Sequence, residues 1–162
     1  FGVSNQNPMM MELLKTAVKQ PLKVNQLQLS AAFTPSFEAG FHVNMEGPKA
    51  AVRDGSVFEY CRLTDTVIQA WSVLQHGYFK GNFVGKEEFA ALNHVLTDLA
   101  KKYQVTPTAI ALSWVLRYPG KMQAVIGTTK PQHVLEAGKS ATVTLTRKEW
   151  YQIYLAAGND LP

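Results

Sequence analysis

The chain has one cysteine, Cys61, in 162 residues. A lone thiol excludes an intramolecular disulfide framework and a cysteine-built zinc site. It fits a reducing compartment, so a cytoplasmic location is expected. Charge is sparse as well, with 17% charged residues and a net charge of +4. Lysine and arginine are scattered, with no block of like charge and no basic stripe interleaved with aromatics, so no nucleic-acid partner is expected. No apolar run approaches the ~20 residues of a membrane span, so no membrane partner is expected either. His42, His76 and His94 lack metal-ligand spacing, and no metal is expected. Neither a Ser-His-Asp arrangement nor a phosphate-loop motif occurs.

The chain does have 46% hydrophobic residues and enough length for one domain with a sizeable core. Strand-like and helix-like segments alternate, which is the pattern of βα units around a parallel sheet. The chain opens on Phe1-Gly2-Val3-Ser4-Asn5, without Met. That run has the character of the end of a buried parallel strand. Asn7-Pro8 starts a helix with Met10, Leu13, Leu14, Ala17 and Val18 on one face. Val24 to Leu29 alternates as a second strand, and 33–56 shows no clear period. Val57 to Leu63 is a short helix and Val67 to Ser72 a third strand. Phe89, Leu92, Leu96, Leu99, Ala100 and Tyr103 recur at helical spacing. Ala109 to Arg117 is apolar almost all round, so it belongs inside. Gln123 to Gly127 is a fourth strand, Pro131 starts a helix, and Thr146 with Glu149 forms a capping box for the last one. Four βα units without a sheet-reversing crossover suggest an α/β fold, a parallel (β/α) TIM barrel represented by four units. Residues 1–162 are then expected to be the C-terminal half of one barrel domain.

Polar and glycine-containing motifs stand at the ends of these strands, where β/α barrels carry their active sites. They are Gly2-Val3-Ser4-Asn5, Asn25-Gln26-Leu27-Gln28, Trp71-Ser72-Val73-Leu74 with Gly77, and Ile126-Gly127-Thr128-Thr129-Lys130-Pro131. In this order and spacing they resemble the second half of the aldo-keto reductase family. The helix through Ala109-Ile110-Ala111-Leu112-Ser113-Trp114 and the tail from Thr146 are similar too. Glu59-Tyr60-Cys61-Arg62 and the Ala156-Ala157-Gly158-Asn159 ending look most like the bacterial YdhF-like members.

The resemblance implies an NADP(H)-dependent oxidoreductase that transfers hydride to an aldehyde or ketone carbonyl. It implies that Ser4, Asn5 and Gln26 hold the nicotinamide carboxamide, a group that needs both donors and acceptors. It puts the Trp71 ring under the nicotinamide, fixing which face is presented. Ser72, Leu74 and Gly77 match the segment that holds the pyrophosphate, with Val73 where the family has Pro. Gly127, Thr128, Thr129 and Lys130 match the loop that grips the 2′-phosphate at a helix N-terminus. His133 stands where the family places Arg; a mostly neutral imidazole softens the preference and admits NAD(H). Glu136 matches a position beside the adenine, whereas Ala137 replaces an Asn. Trp114 is expected to be plain core.

The family's proton-donating Tyr and its Lys, Asp and His helpers come from the first half of the barrel, and no residue here matches them. His76, Tyr78 and Phe79 are candidates for the substrate side. The expected partners are a small carbonyl compound and, at the two exposed sheet edges, the N-terminal half or a second copy of this chain. The other reading is a non-catalytic module that binds nucleotide or assembles half-barrels.

Overall fold

The computed structural model describes residues 1–41, 57–77 and 80–160. Four parallel strands form one sheet in the order β1-β2-β3-β4. They are β1 Gly2–Ser4, β2 Val24–Gln28, β3 Val67–Trp71 and β4 Met122–Ala124. Helix α1, Pro8–Ala17, joins β1 to β2. Helices α2, Pro35–Phe41, and α3, Val57–Leu63, lie between β2 and β3. Helices α4, Ala90–Tyr103, and α5, Pro107–Leu116, lead to β4, which is followed by α6, Pro131–Gly138, and α7, Arg147–Ala156. The expected α/β architecture is therefore present, and its loops after each strand gather at one end of the sheet. Among the described residues no helix is long and apolar enough to cross a membrane.

The period of two on the strands sorts their side chains. Asn25, Leu27, Ile68 and Ala70 are buried beneath the helices, while Gln26, Gln28, Gln69 and Trp71 stand half-buried on the opposite face. That second face carries an unforeseen row of amides: Gln26 Nε2 donates to Gln69 Oε1 at 2.8 Å, and Gln69 Nε2 donates to Gln123 Oε1 at 2.9 Å. The register explains it, because Gln26 pairs with Gln69 and Gln69 with Gln123.

Three expectations need correction. The stripe on α1 is divided: Met10, Leu13 and Ala17 are exposed, Leu14 and Val18 are half-buried, and the buried residue of the helix is Met11, which is not part of the stripe. The helix is held instead through Met11, whose Sδ accepts from Asn25 Nδ2 of β2 at 3.6 Å, and through Lys15, whose Nζ donates to the Tyr60 hydroxyl of α3 at 2.5 Å. Residues 33–56 are not without period throughout, since α2 occupies 35–41. Pro35 starts it, and Thr34 Oγ1 donates to the Glu38 carboxylate at 2.6 Å. The fourth strand stops at Ala124, although the Val125 N–H still donates to Ala70 O at 2.8 Å. β4 is the other edge, and one neighbour holds fewer residues in a ladder than two. The remainder, 42–56 with His42, and Tyr78 and Phe79 lie outside the described residues.

Helix α5 is buried from Ala109 to Val115, as its all-round apolar surface requires. It meets α7, whose capping box is formed in both directions by Thr146 and Glu149. Burial pushes the Glu149 carboxyl up, but hydrogen bonds from Lys102, the Thr146 backbone and hydroxyl, and Tyr103 outweigh it and leave the group at about 2, below its ordinary 4.5. A depressed carboxylate stabilises the fold above the unfolded value and loses that contribution as pH falls towards the folded one. Stability is thus expected to fall between pH 4.5 and about 2. Glu149→Gln should flatten that segment of a stability-versus-pH curve measured by urea unfolding, and lower stability at neutral pH by about 1–3 kcal/mol. An unchanged acid limb in the variant would exclude this carboxylate as the cause.

Candidate functional site

The loops after β3 and β4 enclose a cavity of about 670 Å³. Trp71, the last residue of β3, forms one wall, and Ser72 and Leu74 follow it along the rim. Gly127 and Thr128, just beyond β4, form the facing side, with His133 and Glu136 of α6 behind them. Leu112 of the buried helix α5 closes the apolar back. The chain reverses sharply here because Ser72 has φ 53° and Gln75 N–H donates to Ser72 O at 2.8 Å. A left-handed serine is uncommon and needs surrounding structure to hold it. Val73 supplies that support: it is 3% exposed and sits in the hydrophobic core. Packing thus does at Val73 what a ring-fixed φ does for proline.

A second cavity, of about 510 Å³, lies on the other side of Trp71 and is lined by Asn5, Gln28 and Phe33 among others. Asn5 also has a left-handed backbone, φ 53°, and its N–H donates to Gln26 O at 2.9 Å. Trp71 is common to both cavities. Ser4 points its hydroxyl to Gln26 O at 3.4 Å on the same half-open face. Gln26 lies one pleat below the rim, committed through its amide to Gln69.

Helix α6 begins at Pro131 with Lys130 as N-cap and no side-chain cap. The Lys130 N–H donates to Thr128 Oγ1 at 3.3 Å, and Thr128 Oγ1 is 3.4 Å from His133 Nδ1. No hydrogen bond from the backbone N–H of Gly127, Thr128 or Thr129 occurs among the described residues. Together with the positive end of the helix, these donors make a place for negative charge. Glu136 accepts from Gln132 Nε2 at 3.0 Å. Thr129 and Lys130 flank the cavity in sequence but do not line it. Gly77 has φ 156°, a backbone that side chains rarely adopt; a Cβ there would come within 2.8 Å of Cδ of the flexible Lys80 side chain, which can shift.

His76 belongs to neither cavity; its ring is 4.9 Å from that of Phe89 and its Nε2 is 3.7 Å from the Glu88 carboxylate. Two glutamines join the site without having been assigned a role in it: Gln28, within the Asn25-Gln26-Leu27-Gln28 motif, and Gln75, which opens the stretch 75–85 expected on the substrate side. Gln28 Nε2 and Gln75 Oε1 are buried without a hydrogen-bond partner among the described residues, Gln28 in the cavity with Asn5 and Gln75 in that with Ser72. Buried polar atoms are normally paired, so each marks a place where a polar ligand atom would be gained. The signal for Gln28 was available: it alternates with Gln26 on β2 and so shares its face.

The sequence profile of the Aldo/keto reductase family matches residues 1–156. The chain is 31% identical over 162 residues to a 6-dehydroglucose reductase of Agrobacterium fabrum, spanning 99% of this chain and 47% of that protein. It is 27% identical to oxidoreductase YdhF of Escherichia coli, spanning 100% of this chain and 48% of the relative. Among solved structures it is similar to the thermostable aldo-keto reductase Tm1743, with TM-score 0.67 and 18% identity over 96% of this chain and 47% of that one. It is also similar to the aldo-keto reductase AKR2E5 complexed with NADPH, with TM-score 0.65 and 17% identity over 96% of this chain and 41% of the other. The chain thus spans about half the length of the relatives it matches.

Proposed function

Because the chain belongs to the aldo/keto reductase family, we propose that it forms the cofactor-holding side of an NADP(H)-dependent reductase of aldehyde and ketone carbonyls. The observation that carries this reading is the cavity at Trp71, which gathers Ser72, Leu74, Gly127, Thr128, His133 and Glu136 from three separate stretches of sequence. The donor set fits a dinucleotide phosphate: free backbone N–H groups at a helix start, hydroxyls, an aromatic wall and unpaired amide atoms. When bound, the nicotinamide supplies the hydride.

The family resemblance suggests the residue roles, and the cavity linings support them for Trp71, Asn5, Ser72, Leu74, Gly127, Thr128, His133 and Glu136. Trp71 presents its ring between the two cavities and orients a flat group laid against it. Asn5, Ser4 and Gln26, at the adjoining strand ends, offer the donors and acceptors that a carboxamide requires. Gln28 adds an amide to that side. Ser72, Leu74 and Gly77 supply close backbone approach for the pyrophosphate. Gly127, Thr128, Thr129 and Lys130 hold the terminal phosphate at the start of α6, and His133 gives that phosphate a weaker second contact than a fixed cation. Glu136 borders the adenine. The proton donor comes from outside this chain, from the half-barrel that pairs with the edges at β1 and β4. The exposed Met10 and Leu13 of α1, which follows β1, and Val134 and Leu135 of α6, which follows β4, support such a partner. The buried free thiol of Cys61 supports a reducing, cytoplasmic setting.

The test is a titration of the protein with NADPH and NADH, followed by tryptophan fluorescence. Trp71→Leu should remove the quenching. His133→Arg should tighten NADPH binding about tenfold, the worth of one added charge-assisted contact, and leave NADH unmoved. Lys130→Gln should weaken NADPH by a similar factor. If both nucleotides shift together, the 2′-phosphate is not at α6. The chain alone should bind weakly, since half the wall that would enclose the cofactor is supplied by the partner.

A further inference from the structure

A groove of about 320 Å³ lies where α3, the end of α5 and the start of α7 meet. Helices α3 and α5 each end just before the first residue of a strand, so this groove is at the opposite end of the sheet from the Trp71 cavity. Three guanidinium groups line it, from Arg62, Arg117 and Arg147. The one carboxylate among the lining residues is Glu59. Among the described residues none of the three arginines has an ion-pair partner.

The arginines are held rather than splayed. Arg117 Nε donates to Leu145 O at 2.9 Å, which fixes its head against the turn before α7. The Arg147 guanidinium is 5.7 Å from the centre of the Tyr151 ring, within reach of a cation–π contact. The stem of Arg62 runs beside Gly120, where an added Cβ would be 3.5 Å from its Cγ. The floor is aromatic: Tyr118 and Trp150 are each 8% exposed and show the groove one surface. Burial, with Glu59 adding and Arg62 opposing, holds the Tyr118 phenol at about 12, so it brings no negative charge.

We propose that this groove binds a small organic anion, a phosphate or carboxylate joined to a flat apolar ring. A bare anion would satisfy the guanidinium groups and leave the aromatic floor uncovered. A neutral aromatic would cover the floor and leave the cations unpaired. A ligand with both parts matches both, and guanidinium is the group best shaped to meet either kind of oxyanion. The volume is at the lower end of the ~300–1,000 Å³ typical of small-molecule sites. The site is separate from the proposed cofactor cavity and does not depend on that reading.

The test is calorimetric titration of the protein with 1-naphthyl phosphate, 1-naphthoate, 1-naphthol and inorganic phosphate, with and without saturating NADPH. One or both naphthyl anions should bind at least about tenfold more tightly than naphthol and than inorganic phosphate, and which of the two binds more tightly identifies the head group. NADPH should not compete. The double variant Arg62→Gln with Arg147→Gln should weaken the anion about tenfold or more while leaving NADPH binding unchanged. Glu59→Gln provides a variant in the other direction, expected to tighten the anion by roughly two- to threefold. Equal affinity for naphthol and the anions, displacement by NADPH, or an unmoved affinity in both variants would overturn the proposal.

Discussion

Incubated with NADPH and benzaldehyde, the 162-residue chain alone is expected to oxidise the cofactor no faster than buffer does. Reduction of a carbonyl needs a proton delivered to the oxygen as hydride arrives, and a positioned acid contributes roughly 10²–10⁴-fold. Among the described residues no tyrosine, lysine or aspartate lines either cavity at Trp71; the titratable side chains there are His133 and Glu136 of α6. The described tyrosines are committed elsewhere. Tyr103 donates to Glu149 at 2.9 Å and Tyr154 to Glu38 at 2.9 Å. Burial raises the Tyr154 phenol further, with Glu38 adding to it, which makes it a worse acid. Tyr118 and Tyr151 sit at the arginine groove, at the far end of the sheet. Supplying a companion half-barrel that carries Tyr, Lys, Asp and His at its strand ends should raise the rate by several orders of magnitude. Turnover by the chain alone would place the acid within it and sink the proposal that the donor comes from a partner. No turnover under either condition, with tight NADPH binding, would instead make the chain a nucleotide-binding module.

The residues that line the Trp71 cavity were more legible in the sequence than the packing was. Trp71, Ser72 and the Gly127–Thr128 loop were visible because each stands where a strand pattern stops, and the ends of parallel strands converge by geometry. The row from Gln26 through Gln69 to Gln123 was not visible. It depends on the register between strands far apart in sequence, which no single-strand pattern reveals. The stripe on α1 had the right period, yet Met10 and Leu13 on it are exposed. Periodicity identifies an apolar face, but only the neighbours decide what covers it. Helix α2 was hidden for a different reason. It is short, and Gly40 and Pro35 weigh against a helix on propensity. Thr34 and Glu38 fix its start, and Phe37, 2% exposed, anchors it in the aromatic core.

That aromatic core leads to the largest expected effect on stability, from Trp114→Ala. Trp114 is 1% exposed and its ring stacks on that of Trp150 at 4.8 Å between centres. The two indoles also exchange hydrogen bonds with each other's backbone: Trp114 Nε1 donates to Trp150 O at 3.1 Å, and Trp150 Nε1 donates to Trp114 O at 3.0 Å. Truncation at Trp114 removes one ring and one donor. The lost burial and the cavity cost about 3–5 kcal/mol, and the buried Trp150 carbonyl loses a partner for about 1 kcal/mol more. Domains have only ~5–15 kcal/mol in total, so the variant should unfold at least about 10 °C lower in thermal denaturation followed by circular dichroism. Trp114→Phe keeps a stacking ring and loses the donor, so it should fall between the variant and the parent. Trp71→Ala is the contrast: its ring is half-buried and faces the two cavities, so its removal should cost cofactor affinity and little stability. If the two alanine variants lowered the melting temperature equally, Trp71 would be as much a core residue as Trp114, and its assignment to a binding surface would lose its physical basis.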